Sequence, residues 1–208
     1  MAYQVIQHGS SAAFTAEDGL LANAQDDGDI VLHLGGGFVA DPAKTAVLVE
    51  LRTECLGVHT GEDRGREGSN AIGFARFVNA EGPSQLIELV RQPRTDAAAL
   101  DAARSLFEGA GFQVVISSDQ AGRIVDRLVR PKYNAALRFL DEGLADAEAM
   151  DLTCRLGLGY SRGPIEAVTE AGLARHHDIS QYLFGVTGQA GYAPARAAAV
   201  ARAREDLT

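Results

Sequence analysis

The feature that most constrains the fold is a change of pattern near residue 118. Before this point, short β-branched runs alternate with loops rich in glycine and aspartate, and after it apolar residues recur at helical spacing. A helix over residues 96–109, with Thr95 as its N-cap, is predicted to lead into the last strand of the first part. A polar, glycine-rich loop is predicted over residues 59–69. Four strands are predicted, over residues 30–34, 46–51, 71–78 and 112–117.

The second part predicts a bundle of helices. Residues 121–143 carry two adjacent apolar stripes, a pattern typical of a helix buried on two sides, and Pro131 is expected to kink that helix. The stripes are Val125, Val129, Ala136 and Leu140, and Ile124, Leu128, Ala135 and Phe139. Further helices are predicted at about residues 146–156, 164–171 and 178–184, and after Pro194. The expected organisation is an α/β domain over residues 1–117 and an all-α domain over residues 118–208.

A glycine motif after the first predicted strand suggests a dinucleotide site. Gly35, Gly37 and Ala40 fit the pattern G-x-G-x-x-G/A, and Glu50 and Glu54 lie roughly where a ribose-binding acid is expected. A dinucleotide-binding turn must open a helix, however, and only the seven residues 38–44 separate Gly37 from the next β-like run. This spacing favours a glycine turn in a shortened loop, with the dinucleotide site as the alternative.

Composition and charge exclude several classes of function. The net charge of −9 argues against general binding to nucleic acids, and no apolar run reaches the ~20 residues that a membrane helix needs. The first ten residues lack the pattern of a secretory signal. Cys55 and Cys154 form no C-x-x-C pair and are predicted to be free, buried thiols. We therefore expect a cytoplasmic protein.

The histidines do not predict a metal site. Residues 176–178, with the sequence His-His-Asp, resemble a ligand cluster, but adjacent residues on a helix point away from one another. We interpret them as the solvated start of a helix, with Asp178 as the N-cap. His8, His33 and His59 have no histidine or cysteine partner at ligand spacing, and an acid–base role for each is kept only as an alternative.

The helical half carries several motifs at fixed spacings. They read "GRIVDR" at 122–127, proline at 131, "NAA" at 134–136, glycine at 143, "ADAEAMD" at 145–151 and "LGLGYSRGP" at 156–164. This pattern resembles the C-terminal domain of 3-hydroxyacyl-CoA dehydrogenases, which have G-F-I-V-N-R, a proline within the helix, N-E-A and L-G-x-x-Y-P-x-G-P. Residues 72–92 resemble, more loosely, the G-L-H-F-F-N-P…L-V-E-V segment of that family.

The resemblance assigns few catalytic residues. The family uses a histidine base that is polarised by a glutamate, with an asparagine and a serine near the substrate oxygen. Glu88 falls on the glutamate and Asp126 on the asparagine, whereas the serine has no secure match. The histidine position falls on Arg76 without a gap and on Ala75 with a one-residue gap. Neither arginine nor alanine can take a proton from a hydroxyl near neutral pH.

The resemblance also implies a domain arrangement. Long bacterial 3-hydroxybutyryl-CoA dehydrogenases end in a reduced Rossmann domain and a second helical domain, to which residues 1–117 and 118–208 are similar. In the family the helical domain forms the homodimer and shapes the acyl-CoA cleft, and NAD is the cofactor. Three functions remain open: a dimerising domain pair without its own NAD site, half of a split dehydrogenase with an NAD-domain partner chain, and a self-sufficient NAD-dependent enzyme.

Overall fold

The computed structural model of the chain describes residues 2–61, 69–79 and 81–207. It divides into two compact units. The first unit contains Met1–Val78 and Pro83–Ile124, and the second contains Asn79–Gly82 and Val125–Thr208. Each unit is built around its own apolar core.

The first unit is a six-stranded sheet with helices, which agrees with the predicted α/β class, although only four of the six strands were predicted. Its strands lie side by side in chain order, and β1 to β4 run parallel, as do β5 and β6. β4 and β5 are too close in sequence for a parallel crossover, so these neighbours are antiparallel. The strands are β1 (Tyr3–Gln7), β2 (Ile30–Leu34), β3 (Ala46–Glu50), β4 (Ala71–Asn79), β5 (Gly82–Arg91) and β6 (Gln113–Ser118). The helices are α1 (Gly19–Ala22), α2 (Gly57–Thr60) and α3 (Ala97–Gly109).

The two faces of this sheet have different surroundings. Side chains alternate between the faces along each strand, and one face packs against the apolar stripe of α3, which includes Ala99, Ala103 and Phe107. Phenylalanine rings of this core lie with their centroids 5.3 to 6.4 Å apart. A smaller cluster on the other side contains Val49, Leu51, Leu56 and Val90. Residues of β4 and β5 can therefore be assigned to a face by their position in the alternation.

The second unit is helical. Pro131 lies within its first helix and lacks the N–H group that would bond to the carbonyl of Arg127. The hydroxyl of Tyr192 donates to that carbonyl instead, at 3.3 Å. The helices are α4 (Val125–Asp141), α5 (Ala147–Leu158), α6 (Pro164–Ala171), α7 (Leu173–Thr187) and α8 (Arg196–Glu205), with a 3₁₀ turn at Ala190–Tyr192. Within the described residues, no helix is both long and apolar enough to span a bilayer.

Several local predictions for the first unit need correction. β1 and β5 were not predicted, because β1 contains two glutamines among its five residues and β5 begins with glycine and proline, which carry no strand signal. Thr95 is not the N-cap of α3: its hydroxyl accepts from the N–H of Gln92, and Asp96 holds the cap position. The predicted loop at 59–69 contains the end of α2, and its residues 62–68 lie outside the described residues.

The second unit also differs from expectation. α7 begins at Leu173, so His176 is buried within the helix and Asp178 is not an N-cap. The second apolar stripe is not buried, since Leu128 and Phe139 are 70% and 45% exposed. The cysteines Cys55 and Cys154 are free, as predicted, but half-buried rather than buried.

Candidate functional site

Glu88 lies on β5 within a polar cluster of the first unit. Its side chain is almost fully buried, one carboxylate oxygen accepts from the N–H of Ile124 at 2.8 Å, and the other lies 3.9 Å from Nε of Arg123. The guanidinium of Arg123 also donates to the carbonyl of Glu54 at 3.0 Å and to that of Arg52. The Glu88 carboxylate is therefore held by groups of its own chain.

The strand position beside Glu88 is occupied by Ala75. A side chain built on Gly73 would come within 3.0 Å of Cβ of Val90, so these residues face each other across β4 and β5. Continuing the antiparallel register by two residues brings Ala75 beside Glu88, on the same face. Alanine offers no group that could exchange a proton with a substrate.

Arg76 lies on the opposite face of the sheet from Glu88. Its guanidinium packs over the rings of Phe112 and Phe14, at 4.9 and 5.5 Å from their centroids. It also donates to Asp18 at 3.2 Å and to the carbonyl of Ala13 at 3.1 Å. The structure thus brings Ala75, rather than Arg76, together with Glu88.

A histidine–carboxylate pair belongs to the same cluster. Nε2 of His59 lies 3.3 Å from Oε1 of Glu54. Burial by itself would raise the pKa of Glu54, but hydrogen bonds from His59 and from backbone N–H groups lower that pKa to about 2. The Glu54 side chain therefore remains ionised at neutral pH, facing His59.

Asp119 fixes the loop that carries this pair. Its carboxylate accepts from the N–H groups of Leu56 and Gly57, at 2.6 and 2.9 Å, and from Nε2 of Gln92 at 2.9 Å. Neither Asp119 nor Arg123 was predicted as a site residue. The position of Asp119 directly after a strand was an available signal, whereas no local pattern predicts the left-handed backbone of Arg123, with φ at +45°.

The glycine turn after β2 allows the backbone to approach the loop after β1 closely. Gly35 has φ at +78°, and a side chain there would lie 2.5 Å from backbone atoms of Gly9. A side chain at Gly37 would lie 2.1 Å from the ring of His8. Ala40 is exposed, and the described residues 35–45 contain no helix. The motif thus lacks the helix N-terminus on which a dinucleotide pyrophosphate would rest.

Next to this turn, two histidine rings lie against each other. Nε2 of His8 is 2.8 Å from Nδ1 of His33, and the ring centroids are 5.1 Å apart. Burial, followed by the charge of His8, lowers the pKa of His33. These contacts hold the end of β1 against β2.

Glu50 fills the space where the loop after β1 meets the glycine turn. It is buried at the end of β3, and its Oε2 accepts from the N–H of Gly35 at 2.7 Å. Its Oε1 accepts from the hydroxyl of Ser11 at 2.9 Å and from the N–H groups of Ala12 and Ala13, both at 2.7 Å. A carboxylate in this place does not fit a dinucleotide pyrophosphate, because two anions would compete for one set of donors.

In the second unit, Asp126 is part of a buried network. Its Oδ1 accepts from Nε and a terminal nitrogen of Arg130, at 2.8 and 2.7 Å. Arg130 also lies 3.3 Å from Nδ1 of His176, whose Nε2 is 2.9 Å from Oδ1 of Asn134. Because arginine can only donate, His176 carries its proton on Nε2. Burial, followed by the charge of Arg130, lowers the pKa of His176 to about 3.

Comparison with known proteins finds a match to a family model in the helical half. Residues 122–204 match the family described as 3-hydroxyacyl-CoA dehydrogenase, C-terminal domain. A 3-hydroxybutyryl-CoA dehydrogenase of Bradyrhizobium diazoefficiens is 33% identical over 118 residues, which is 57% of this chain and 40% of the relative. The mitochondrial hydroxyacyl-coenzyme A dehydrogenase of Homo sapiens is 31% identical over 97 residues, 47% of this chain and 31% of the relative. The matches thus span less than half of either relative.

Solved structures share the fold. The (S)-3-hydroxybutyryl-CoA dehydrogenase PaaH1 from Ralstonia eutropha superposes with a TM-score of 0.73 at 21% identity, over 92% of this chain and 69% of that chain. FadB2 of M. tuberculosis superposes with a TM-score of 0.70 at 21% identity, over 87% of this chain and 67% of that chain. At this identity the likeness concerns the fold alone.

Proposed function

We propose that this chain is a member of the 3-hydroxyacyl-CoA dehydrogenase family and serves as a dimerising domain pair that does not turn over a hydroxyacyl-CoA by itself. Its metabolic context would be the β-oxidation of fatty-acid or aromatic acyl-CoA thioesters. The observation that carries the proposal is the setting of Glu88, which is paired with Arg123 and the N–H of Ile124 and stands beside Ala75.

Oxidation of a hydroxyl group needs a base that can take its proton. Such a base must titrate near the working pH and reach the hydroxyl within roughly 2.6–3.2 Å. At the position of the family's histidine beside Glu88, Ala75 has no such group, and Arg76 is held on the other face of the sheet. His59, the histidine of the same cluster, is paired with Glu54 and not with Glu88. The geometry therefore supports a scaffold or acyl-CoA-holding role rather than independent turnover.

Contacts within the first unit argue against the binding of a dinucleotide cofactor. Glu50 occupies the donors that converge after β1, and no helix follows the glycine turn in residues 35–45. In a catalytic role, the chain would depend on a partner chain for NAD. This second candidate, half of a split dehydrogenase, is favoured by the presence of a buried carboxylate at Glu88.

The proposal can be tested with the purified chain. We expect no saturable NAD binding by calorimetry and no NAD reduction with 3-hydroxyacyl-CoA thioesters of several chain lengths. Turnover by the chain alone would overturn the proposal. Turnover that appears only after addition of an NAD-domain chain, and falls in Glu88→Gln, would select the split dehydrogenase instead. Glu142→Gln, an exposed change in the second unit, is the matched control for that variant.

A further inference from the structure

We propose that Glu50 is a built-in anion that closes an oxyanion-binding nest, and that the nest accepts a free phosphate-type anion once this carboxylate is removed. The nest is formed by Ser11, Ala12 and Ala13 after β1 and by Gly35 after β2. The inference deepens the proposed function and rests on its claim that the chain lacks an NAD site, but its test needs no dehydrogenase assay.

The donors converge as they do around a bound anion. Three backbone N–H groups and one hydroxyl reach the two oxygens of a single carboxylate, at 2.7 to 2.9 Å. The oxygen of Ser11 itself accepts from the N–H groups of Ala13 and Phe14, which directs the hydroxyl hydrogen toward Glu50. Consecutive backbone N–H groups that point into one concavity form a recognised class of anion site.

The place of the nest in the sheet also points to phosphate chemistry. It lies at the carboxyl ends of β1, β2 and β3, the side of an open parallel sheet on which α/β folds bind their ligands. The close approach of Gly35 to Gly9 brings the second loop's N–H group within reach of the same anion. The guanidinium of Arg52 borders the loop and donates to the carbonyl of Ser10 at 3.4 Å, so a positive charge stands nearby.

Glu50 reaches this nest from the end of β3 and is fully enclosed there. A buried carboxylate needs several donors to remain in place, and the loop in turn needs an acceptor for its inward-pointing N–H groups, of which that of Ala13 is buried. The side chain and the loop therefore stabilise each other. An inorganic oxyanion presents the same kind of acceptor atoms and can replace the carboxylate.

The test compares Glu50→Ala with the wild type and with Glu17→Ala, which removes an exposed carboxylate near the same loop. Thermal unfolding is followed in chloride, phosphate and pyrophosphate at equal ionic strength. We expect Glu50→Ala to lower the melting temperature by roughly 5 °C or more, because buried donors lose their acceptor. Phosphate or pyrophosphate should restore part of this loss in Glu50→Ala only.

The NMR chemical shifts of backbone amide groups show where added phosphate binds. The signals of Ala12, Ala13 and Gly35 should move on addition of phosphate to Glu50→Ala and remain still in the wild type. If Glu50→Ala does not fold, Glu50→Asp, which withdraws the carboxylate by one methylene, is titrated in the same way. An equal response of wild type and variant, or no response in any foldable Glu50 variant, would overturn the inference.

NAD is titrated last, to separate the two sources of phosphate. Binding of phosphate but not NAD by Glu50→Ala would support a nest for a small oxyanion. Binding of NAD by the wild type with shifts at Ala12, Ala13 and Gly35 would refute both the closed nest and the proposed lack of a cofactor site. Turnover without NAD-induced shifts at Ala12 or Ala13 would refute the proposed function while leaving the nest intact.

Discussion

At the scale of single residues, Arg123 combines a buried guanidinium with a left-handed backbone. It is the only described non-glycine residue with positive φ, at +45°, a conformation that is uncommon for a long side chain. The guanidinium lies beside Glu88 and donates to two carbonyl groups of the loop after β3. The surroundings therefore hold a backbone conformation that the local sequence does not favour.

We expect Arg123→Ala to lower the free energy of unfolding by roughly 3 kcal/mol, because it leaves the buried Glu88 carboxylate without its cation. Denaturation by urea would measure this, with the exposed Arg94→Ala as the control, expected within about 0.5 kcal/mol of wild type. Combining Arg123→Ala with Glu88→Gln should cost less than the sum of the two single changes. Additive losses would show that the two side chains do not interact.

At the scale of secondary-structure elements, sequence patterns predicted the helices and strands whose ends are set by local sequence. β2 was predicted to the residue, and α6 likewise, because β-branched runs and a proline at the helix start are local signals. The start of α7 was missed because neighbouring histidines are typical of a solvated segment. His176 is buried because its ring pairs with Asn134 and Arg130 on α4, and only the tertiary structure brings these residues together.

The candidate site was predictable to a similar extent. Glu88 could be singled out from a motif, but its partner Arg123 could not, since the two are brought together by the return of the chain after β6. Gly35 and Gly37 were correctly expected in a shortened loop. Glu50 was considered as a ribose-binding acid, and the direction of its side chain toward Ala12 and Ala13 is a property of packing that no spacing reveals.

The packing of α4 against α7 makes the free energy of unfolding depend on pH. The pKa of His176 is about 3 in the folded chain, against about 6.5 for an unfolded histidine, so between these values only the unfolded chain binds the proton. The free energy of unfolding should therefore fall as pH drops below about 6.5, by up to about 1.4 kcal/mol per unit. Above about pH 6.5 the ring of His176 is neutral in both the folded and the unfolded chain, and its titration no longer lowers the free energy of unfolding.

This pH effect is measured as the difference between wild type and His176→Gln in urea unfolding at several pH values. The variant has no titrating ring and should lose that part of the slope. The ring signals of His176 offer an independent measurement, and His177, which is on the same helix and less buried, serves as an internal comparison. A His176 ring that titrates near 6.5 would contradict the prediction.

At the scale of the whole molecule, the second unit exposes large apolar side chains on several of its helices. Leu128 and Phe139 lie on one side of α4, eleven residues apart, and Leu152 and Leu156 lie one turn apart on α5. Exposed apolar stripes of this kind mark surfaces that another chain covers. We propose that a second copy of this chain is the partner.

We expect the chain to sediment with twice the mass of one chain, and Leu128→Glu or Leu156→Glu to shift it to a single chain at micromolar concentration. A charge placed in an apolar interface is costly because it loses its water without gaining a partner. Val200→Glu, an exposed change on α8, is the control and should leave the assembly intact. A wild-type chain that remains a monomer at high concentration would contradict the homodimer.

The carboxylate of Glu50 also has a thermodynamic consequence. A fold that fills its nest with a diffusible ligand gains stability that rises and falls with the concentration of that ligand. Here the anion is tethered to β3, so its effective concentration at Ala12, Ala13 and Gly35 is set by covalent geometry. We therefore expect the folded fraction of the first unit to stay the same when nucleotide is added.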